Sequence, residues 1–65
     1  KPYLVRVKSS DGYLNARKGP GTNYQIETVL KNGTVVTVIE KSGNWGKCKS
    51  GYWINLNYTE YIRLA

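Results

Sequence analysis

Short runs in which apolar and polar residues alternate cover most of the chain. In residues 3–8, Val5 and Val7 fall on one face of an extended strand, while Arg6 falls on the other. Further extended segments are predicted at residues 13–17, 24–30, 34–40, 45–49, 52–55 and 61–64. No segment has helical periodicity, and turn residues separate the extended runs at short, regular intervals. This pattern predicts an all-β fold, either a small barrel or a sandwich.

Three turn segments have distinctive chemistry. Gly19-Pro20-Gly21 predicts a tight reversal, since proline fixes φ and glycine accepts a positive φ. Asn32-Gly33 is the usual signal of a β-hairpin, here joining the strands at 24–30 and 34–40. Residues 55–59 lack strand alternation and are predicted to form a single 3₁₀ turn.

The direction of two tryptophan side chains follows from strand parity. In residues 45–49 the lysines must face water, which places Cys48 in the core and Trp45 on the outer face. In the next strand Ile54 is the natural core residue, so Trp53 falls on the opposite face. An outward tryptophan in a small β domain requires an explanation.

The chain has 65 residues and is predicted to be one domain spanning residues 1–65. Domains of this size bury only about 60% of the surface of the unfolded chain, so one small core must stabilise the fold. The sequence supplies β-branched residues for such a core: Val5, Val7, Ile26, Val29, Val35, Val36, Val38, Ile39 and Ile54.

Catalytic and metal-binding chemistry has little support in the sequence. Cys48 is the only cysteine and there is no histidine, which excludes an internal disulfide, Cys–His and Ser–His catalysis and argues against a zinc site. Cys48 is predicted to be inert core filling. Nothing in the sequence arranges two carboxylates in a cleft; the four available are Asp11, Glu27, Glu40 and Glu60. The domain is therefore predicted to have no catalytic activity, metal or cofactor.

The formal net charge is +6, from ten Lys or Arg and four Asp or Glu. Such a charge attracts polyanions in general, whether nucleic acid, acidic lipid or cell-wall polymer. No apolar run approaches the length of a membrane span, so a membrane partner is not expected. The chain begins at Lys1-Pro2 without a methionine and is expected to be part of a longer protein.

Leu14-Asn15-Ala16-Arg17, followed by Gly19-Pro20-Gly21-Thr22-Asn23-Tyr24, resembles the signature L-N-V-R-x-G-P-G-T-x-Y of bacterial SH3 (SH3b, SH3_3-type) domains. Gly43-Asn44-Trp45-Gly46-Lys47 and Gly51-Tyr52-Trp53-Ile54 fit the same family. The resemblance extends over nearly the whole chain. Two departures are small: Ala16 replaces the commoner valine and Lys18 the commoner serine.

The resemblance implies an SH3-like barrel of five to seven strands that binds the cell wall, usually a peptidoglycan peptide or cross-bridge. The chain is similar to C-terminal modules of clostridial and phage lytic enzymes, including endolysins and autolysins. In these enzymes the module directs an attached catalytic domain, such as an amidase, muramidase or endopeptidase, to its substrate. The expected location is the bacterial cell wall, for a secreted or a phage-encoded protein.

Five residues are candidates for ligand contact. Trp45 matches the groove tryptophan of SH3-like folds, although it could instead lie half-buried under the turn at 42–44. Tyr58 resembles a groove-lining tyrosine and Tyr24 ends the signature loop, but either ring could simply cover the barrel edge. Asn15 could bind ligand amides or hold the loop backbone. Arg17 could pair with a ligand carboxylate or remain a solvated surface charge.

Two other functions compete with cell-wall binding. Small basic β-barrels rich in aromatic residues bind single-stranded nucleic acid, but here the lysines are dispersed along the chain, which argues against this function. Binding of proline-rich peptides, as in eukaryotic SH3 domains, usually uses acidic loop residues, whereas Arg17 and Lys18 make this loop basic. Peptidoglycan, with anionic wall polymers as a second partner, is therefore the predicted ligand.

Overall fold

The computed structural model describes all 65 residues, which form seven strands and one 3₁₀ turn. The strands are β1 (Tyr3–Val7), β2 (Tyr13–Arg17), β3 (Ile26–Lys31), β4 (Val35–Ser42), β5 (Trp45–Cys48), β6 (Trp53–Asn55) and β7 (Thr59–Leu64), and the 3₁₀ turn is Leu56–Tyr58. None of the helical structure present is long or apolar enough to span a membrane. The predicted all-β class, the seven strands and the 3₁₀ turn are confirmed.

All seven strands belong to one antiparallel sheet with the order β3-β2-β6-β5-β4-β1-β7. Strands β1 and β2 stand four places apart in this order, yet both contribute side chains to the same core. The sheet must therefore curl so that its two halves face each other, as in a barrel. The curled sheet has extents of 28 × 23 × 19 Å.

The core is one cluster of seven buried residues: Val5, Val7, Leu14, Ala16, Val38, Cys48 and Ile54. The parity prediction for β5 and β6 is confirmed, because Cys48 and Ile54 are buried while Trp45 and Trp53 remain partly exposed. The replacement of valine by alanine at position 16 lies within this core, where Ala16 is fully buried.

Four of the β-branched residues predicted as core material are instead exposed: Ile26, Val29, Val35 and Ile39. Strand β3 is the last strand of the sheet, and its side chains are exposed on both faces except for Leu30. In β4 the alternation directs Val36 and Val38 inward and Val35 and Ile39 outward. A chain of 65 residues has no second layer to cover these outer positions.

The hairpin predicted at Asn32-Gly33 is wrong. A tight turn does form, since the Thr34 amide donates to the Lys31 carbonyl at 3.1 Å and Gly33 has a φ of +92°. However, β3 lies at one end of the sheet and β4 is its fifth strand, so the two strands that the turn joins do not pair. A local turn signal specifies the reversal of the chain, but it does not specify which strands pair afterwards.

Asn32 instead ties this turn to the connection between β1 and β2. Its Nδ2 donates to the Ser9 carbonyl at 2.8 Å, and its Oδ1 accepts from the Ser9 amide at 3.0 Å. The Asn32 amide donates to the Gly12 carbonyl at 3.0 Å, and the Gly33 amide to the Val7 carbonyl at 2.9 Å. The segment from Ser9 to Gly12 is thus held in place from outside, which matters because it borders the groove described below.

The first and last strands pair with each other. Strands β1 and β7 form an antiparallel ladder from Tyr3–Leu64 to Val7–Thr59, with one irregularity beside Leu4. Beyond its end, the Ala65 amide donates to the Pro2 carbonyl at 3.0 Å. The two ends of the chain therefore lie side by side.

Candidate ligand-binding groove

A groove with a volume of about 160 Å³ lies where the turn before β2, the loop after β2, β5 and the 3₁₀ turn meet. It gathers four of the five candidate site residues: Asn15, Arg17, Trp45 and Tyr58. The other residues that line it are Ser9, Asp11, Tyr13, Leu14, Thr22 and Asn55. Residues from widely separated parts of the sequence thus form one surface.

Three aromatic rings border the groove. Trp45 begins β5 and is half-buried, opposite Ser42 on one side and Asn55 on the other. Tyr58 ends the 3₁₀ turn and is 46% exposed. The third ring, Tyr13, is also 46% exposed and was not predicted as a site residue. Its signal was available, because Tyr13 has the same strand parity as Asn15.

The 3₁₀ turn that carries Tyr58 is fixed by side chains at both ends. Asn55 Oδ1 accepts from the Asn57 amide at 2.9 Å, and Thr59 Oγ1 donates to the Leu56 carbonyl at 2.8 Å. The Tyr58 carbonyl also accepts from the Lys8 amide at 2.8 Å. The backbone beneath the Tyr58 ring therefore has a defined position.

The loop between β2 and β3 closes through a hydrogen bond from the Lys18 amide to the Gln25 carbonyl at 2.9 Å. A second bond joins the Gly21 amide to the Gly19 carbonyl at 2.9 Å, which makes a three-residue γ-turn around Pro20. Because the loop extends to Gln25, β3 begins two residues later than predicted.

The predicted tight reversal forms, but neither Gly19 nor Gly21 adopts the positive φ that glycine permits. Their requirement for glycine is steric. A Cβ at Gly19 would overlap the ring of Tyr24, and one at Gly21 would lie only 2.6 Å from Asn23 Oδ1. Gly19 makes room for the aromatic ring that covers the loop, and Gly21 makes room for the side chain of Asn23.

Tyr24 is the candidate that the fold does not bring to the groove. Its ring packs against Gly19 and Gly21, and it is absent from the groove lining. Tyr24 lies in the loop between β2 and β3 and remains 44% exposed. Its observed contacts are those of a ring that stabilises the loop.

Arg17 holds the same loop from the groove side. Its Nη1 donates to the carbonyls of Thr22 and Tyr24, each at 3.0 Å. Neither of the two roles considered from the sequence, a ligand partner or a solvated charge, included this contact. The other guanidinium nitrogens form no hydrogen bond within the protein, and they remain free for an acceptor in the groove.

Asn15 makes no side-chain hydrogen bond within the protein and does not hold the loop. The role expected of Asn15 is performed by Arg17, whose longer side chain reaches the loop carbonyls. The Asn15 amide lines the groove with both of its donors and its acceptor unused, which leaves it free to bind a ligand amide.

The charge of the groove differs from that of the domain. Asp11 and Arg17 are the only ionisable acid and base that line it, so the lining is formally neutral, whereas the domain carries +6. The remaining basic residues lie elsewhere on the surface. The groove is therefore a polar and aromatic site in which one carboxylate and one guanidinium are both present.

Cys48 lies outside this groove. Burial raises the pKa of its thiol from an ordinary value of 9.0 to about 12, so the sulfur stays protonated well above neutral pH. Cys48 is one of the residues around a wider concavity of about 530 Å³ between the start of β4 and residues 49–52. That concavity contains none of the five candidate residues and only one aromatic ring, Tyr52.

The sequence profile described as the bacterial SH3 domain (SH3_3) matches residues 12–62, and this range includes both the loop and most of the groove. No curated protein matches the chain. The resemblance noted from Leu14 to Tyr24 is thereby confirmed. Since the profile covers most of the 65 residues, the chain belongs to the bacterial SH3 domain family.

Proposed function

We propose that this domain is a non-catalytic peptidoglycan-binding module that directs an attached lytic enzyme, such as an amidase or muramidase, to the cell wall. Bacterial SH3 domains are typically binding modules, and they generally bind cell-wall components. The observation that carries the proposal is the groove, where unused amide and guanidinium groups lie among three aromatic rings.

The chemistry of the groove suits a short peptide. The free Asn15 amide can bind a backbone amide, and the free nitrogens of Arg17 can bind a carboxylate. Trp45, Tyr13 and Tyr58 supply flat contact area. A cavity of about 150 Å³ accommodates a molecule the size of benzene, so a groove of about 160 Å³ holds roughly one residue of a peptide below its rim.

The same chemistry disfavours a polyanion in the groove. A phosphate backbone would meet the carboxylate of Asp11, and only one basic side chain, Arg17, lines the site. The positive charge on the rest of the surface instead accelerates the approach to anionic wall polymers, an attraction that salt weakens. Single-stranded nucleic acid is thus the less favoured ligand.

Modest affinity is sufficient for targeting. Tethering a catalytic domain to a polymer with many identical sites raises overall avidity by about 10²–10⁴ without new contacts. The proposal places the module at the bacterial cell wall, as part of a secreted or phage-encoded enzyme.

The test is a sedimentation assay with purified peptidoglycan from which teichoic acids have been removed, alongside single-stranded DNA at the same salt concentration. Trp45→Ala and Tyr58→Ala are each expected to weaken wall binding about tenfold, within the range of aromatic stacking on a nucleobase. Tyr61→Ala is the matched control, because Tyr61 is 60% exposed on β7 and outside the groove.

The variants are first shown to be folded by circular dichroism. Wall binding that is unaffected by Trp45→Ala and Tyr58→Ala would exclude the groove as the site. Stronger binding to DNA than to stripped peptidoglycan would reject the proposed function itself.

A further inference from the structure

We infer that Asp11 binds a free ammonium group of the ligand, so that the module selects wall peptides whose amino groups are not acylated. The inference rests on the proposed function and adds to it the class of peptide recognised. Because forming a peptide cross-link converts an amine into a neutral amide, the module then prefers wall regions that are not cross-linked.

The carboxylate of Asp11 has no partner within the protein. Two of the other acids are paired on the surface: Glu60 with Arg6 at 3.3 Å and Glu40 with Lys47 at 3.8 Å. Asp11 forms neither an ion pair nor a side-chain hydrogen bond, although the chain contains ten basic residues. Its carboxylate lines the groove with its full capacity to accept hydrogen bonds.

The position of Asp11 is fixed by the turn on which it lies. The Asp11 amide donates to Ser9 Oγ at 3.2 Å, and the Gly12 amide donates to the Ser9 carbonyl at 3.1 Å. Ser9 is held in turn by the two hydrogen bonds with the Asn32 side chain. A carboxylate on a fixed turn loses little conformational freedom on binding, which favours a specific contact.

Three kinds of donor could satisfy this carboxylate: an ammonium group, an amide and a hydroxyl. All three form a charge-assisted hydrogen bond with the ionised carboxylate, but only the ammonium group adds the attraction of a full opposite charge. The surrounding domain carries +6 and repels a free cation, so a ligand amine enters the groove favourably only beside a local negative charge. Asp11 is the only such charge in the lining, and Arg17 supplies the opposite charge for a carboxylate of the same peptide.

The experiment measures binding of the intact domain to purified, teichoic-acid-free peptidoglycan before and after its amines are acetylated with acetic anhydride. The variant is Asp11→Asn, which keeps the size of the side chain and removes its charge. The control is Glu27→Gln on β3, where an exposed carboxylate without an ion pair lies outside the groove. Both substitutions change the net charge from +6 to +7.

Acetylation is expected to weaken binding of the unmodified domain about five- to tenfold. This loss lies between the usual contribution of a solvent-accessible ion pair and that of a hydrogen bond to a charged group. Asp11→Asn is expected to weaken binding equally and to remove the sensitivity to acetylation, while Glu27→Gln binds like the unmodified domain. A purely electrostatic attraction between the cationic domain and the anionic wall predicts the opposite change in affinity for acetylation and for Asp11→Asn. Acetylation makes the wall more anionic and the substitution makes the domain more cationic, and each change should strengthen binding.

Two results overturn the inference in distinguishable ways. If untreated peptidoglycan is bound and neither acetylation nor Asp11→Asn changes the affinity, Asp11 does not bind an amine of the ligand. The proposed wall-binding function then stands. If the unmodified domain does not bind untreated peptidoglycan, the proposed function fails and the inference fails with it.

Discussion

Replacing Gly19 by alanine tests whether this position requires glycine because the ring of Tyr24 packs against it. Gly19 is buried and has no positive φ, so alanine meets no obstacle from the backbone conformation. Its Cβ would occupy space that belongs to the Tyr24 ring. Either the ring moves away or the loop backbone shifts.

The magnitude follows from the burial of Tyr24. The residue is 44% exposed, so its ring gains about half of the 1.5–3 kcal/mol of a fully buried large side chain, or about 1 kcal/mol. Displacing the ring loses this term, and shifting the loop adds strain typical of an overpacked site. We expect Gly19→Ala to lower the free energy of unfolding by about 1–2 kcal/mol, equivalent to about 5–15 °C in Tm for a domain of this size.

The assay is urea unfolding of the unmodified domain, Gly19→Ala, Tyr24→Ala and the double variant. If the overlap with the ring is the cause, Gly19→Ala should cost nothing in the Tyr24→Ala background. It should even stabilise slightly there, because alanine restricts the unfolded chain. The coupling free energy is then about 1–2 kcal/mol. An equal cost of Gly19→Ala in both backgrounds would refute this reasoning.

Three further predictions concern packing, loop order and pH. Gly46→Ala should lower the free energy of unfolding in urea by about 1–3 kcal/mol, because its Cβ would lie 2.8 Å from Leu56 Cδ2 and 2.9 Å from Val38 Cγ1; an unchanged midpoint contradicts the packing. Arg17→Lys removes Nη1, the one guanidinium nitrogen that donates to both loop carbonyls, so hydrogen exchange of the residue 18–25 amides should accelerate more than exchange in β4; protection that stays uniform contradicts this role. Burial raises the pKa of Cys48 from 9.0 to about 12, so stability from this thiol is complete below pH 9 and is lost as pH rises towards 12. At pH 10 the free energy of unfolding of the unmodified domain should have fallen by about 1.4 kcal/mol more than that of Cys48→Ala. Parallel dependence of the two free energies on pH would contradict the prediction.

Strand positions and side-chain directions were predictable because both depend on local alternation. The opposite directions of Trp45 and Cys48 follow from an odd spacing within one strand, and the structure agrees. Burial was less predictable. Ile26 and Val29 favour extended backbone wherever they occur, but whether they are covered depends on the place of β3 at the end of the sheet.

Strand pairing was not predictable from the turns. Asn32-Gly33 specifies a reversal of the chain. Strand β3, before the turn, pairs with β2, whereas β4, after the turn, pairs with β1 and β5. The partners are chosen by the closure of the whole sheet, which involves contacts far apart in sequence.

The candidate site was predicted in outline and corrected in its roles. Parity and family signature identified Asn15, Arg17 and Trp45, which the fold brings together. Asp11 was missed because an acidic residue beside a glycine is typical of any turn, and its value depends on a groove that only the folded chain creates. The exchange of roles between Asn15 and Arg17 is a matter of side-chain reach, which sequence patterns do not record.

The pairing of the first and last strands has a mechanical consequence. In the antiparallel ladder of β1 and β7, Pro2 and Ala65 lie at the same end and are joined by a hydrogen bond. Tension applied to both ends of the chain therefore pulls along the hydrogen bonds of the ladder, which run perpendicular to the strands, and loads them one after another. The domain should peel open from this corner under low force.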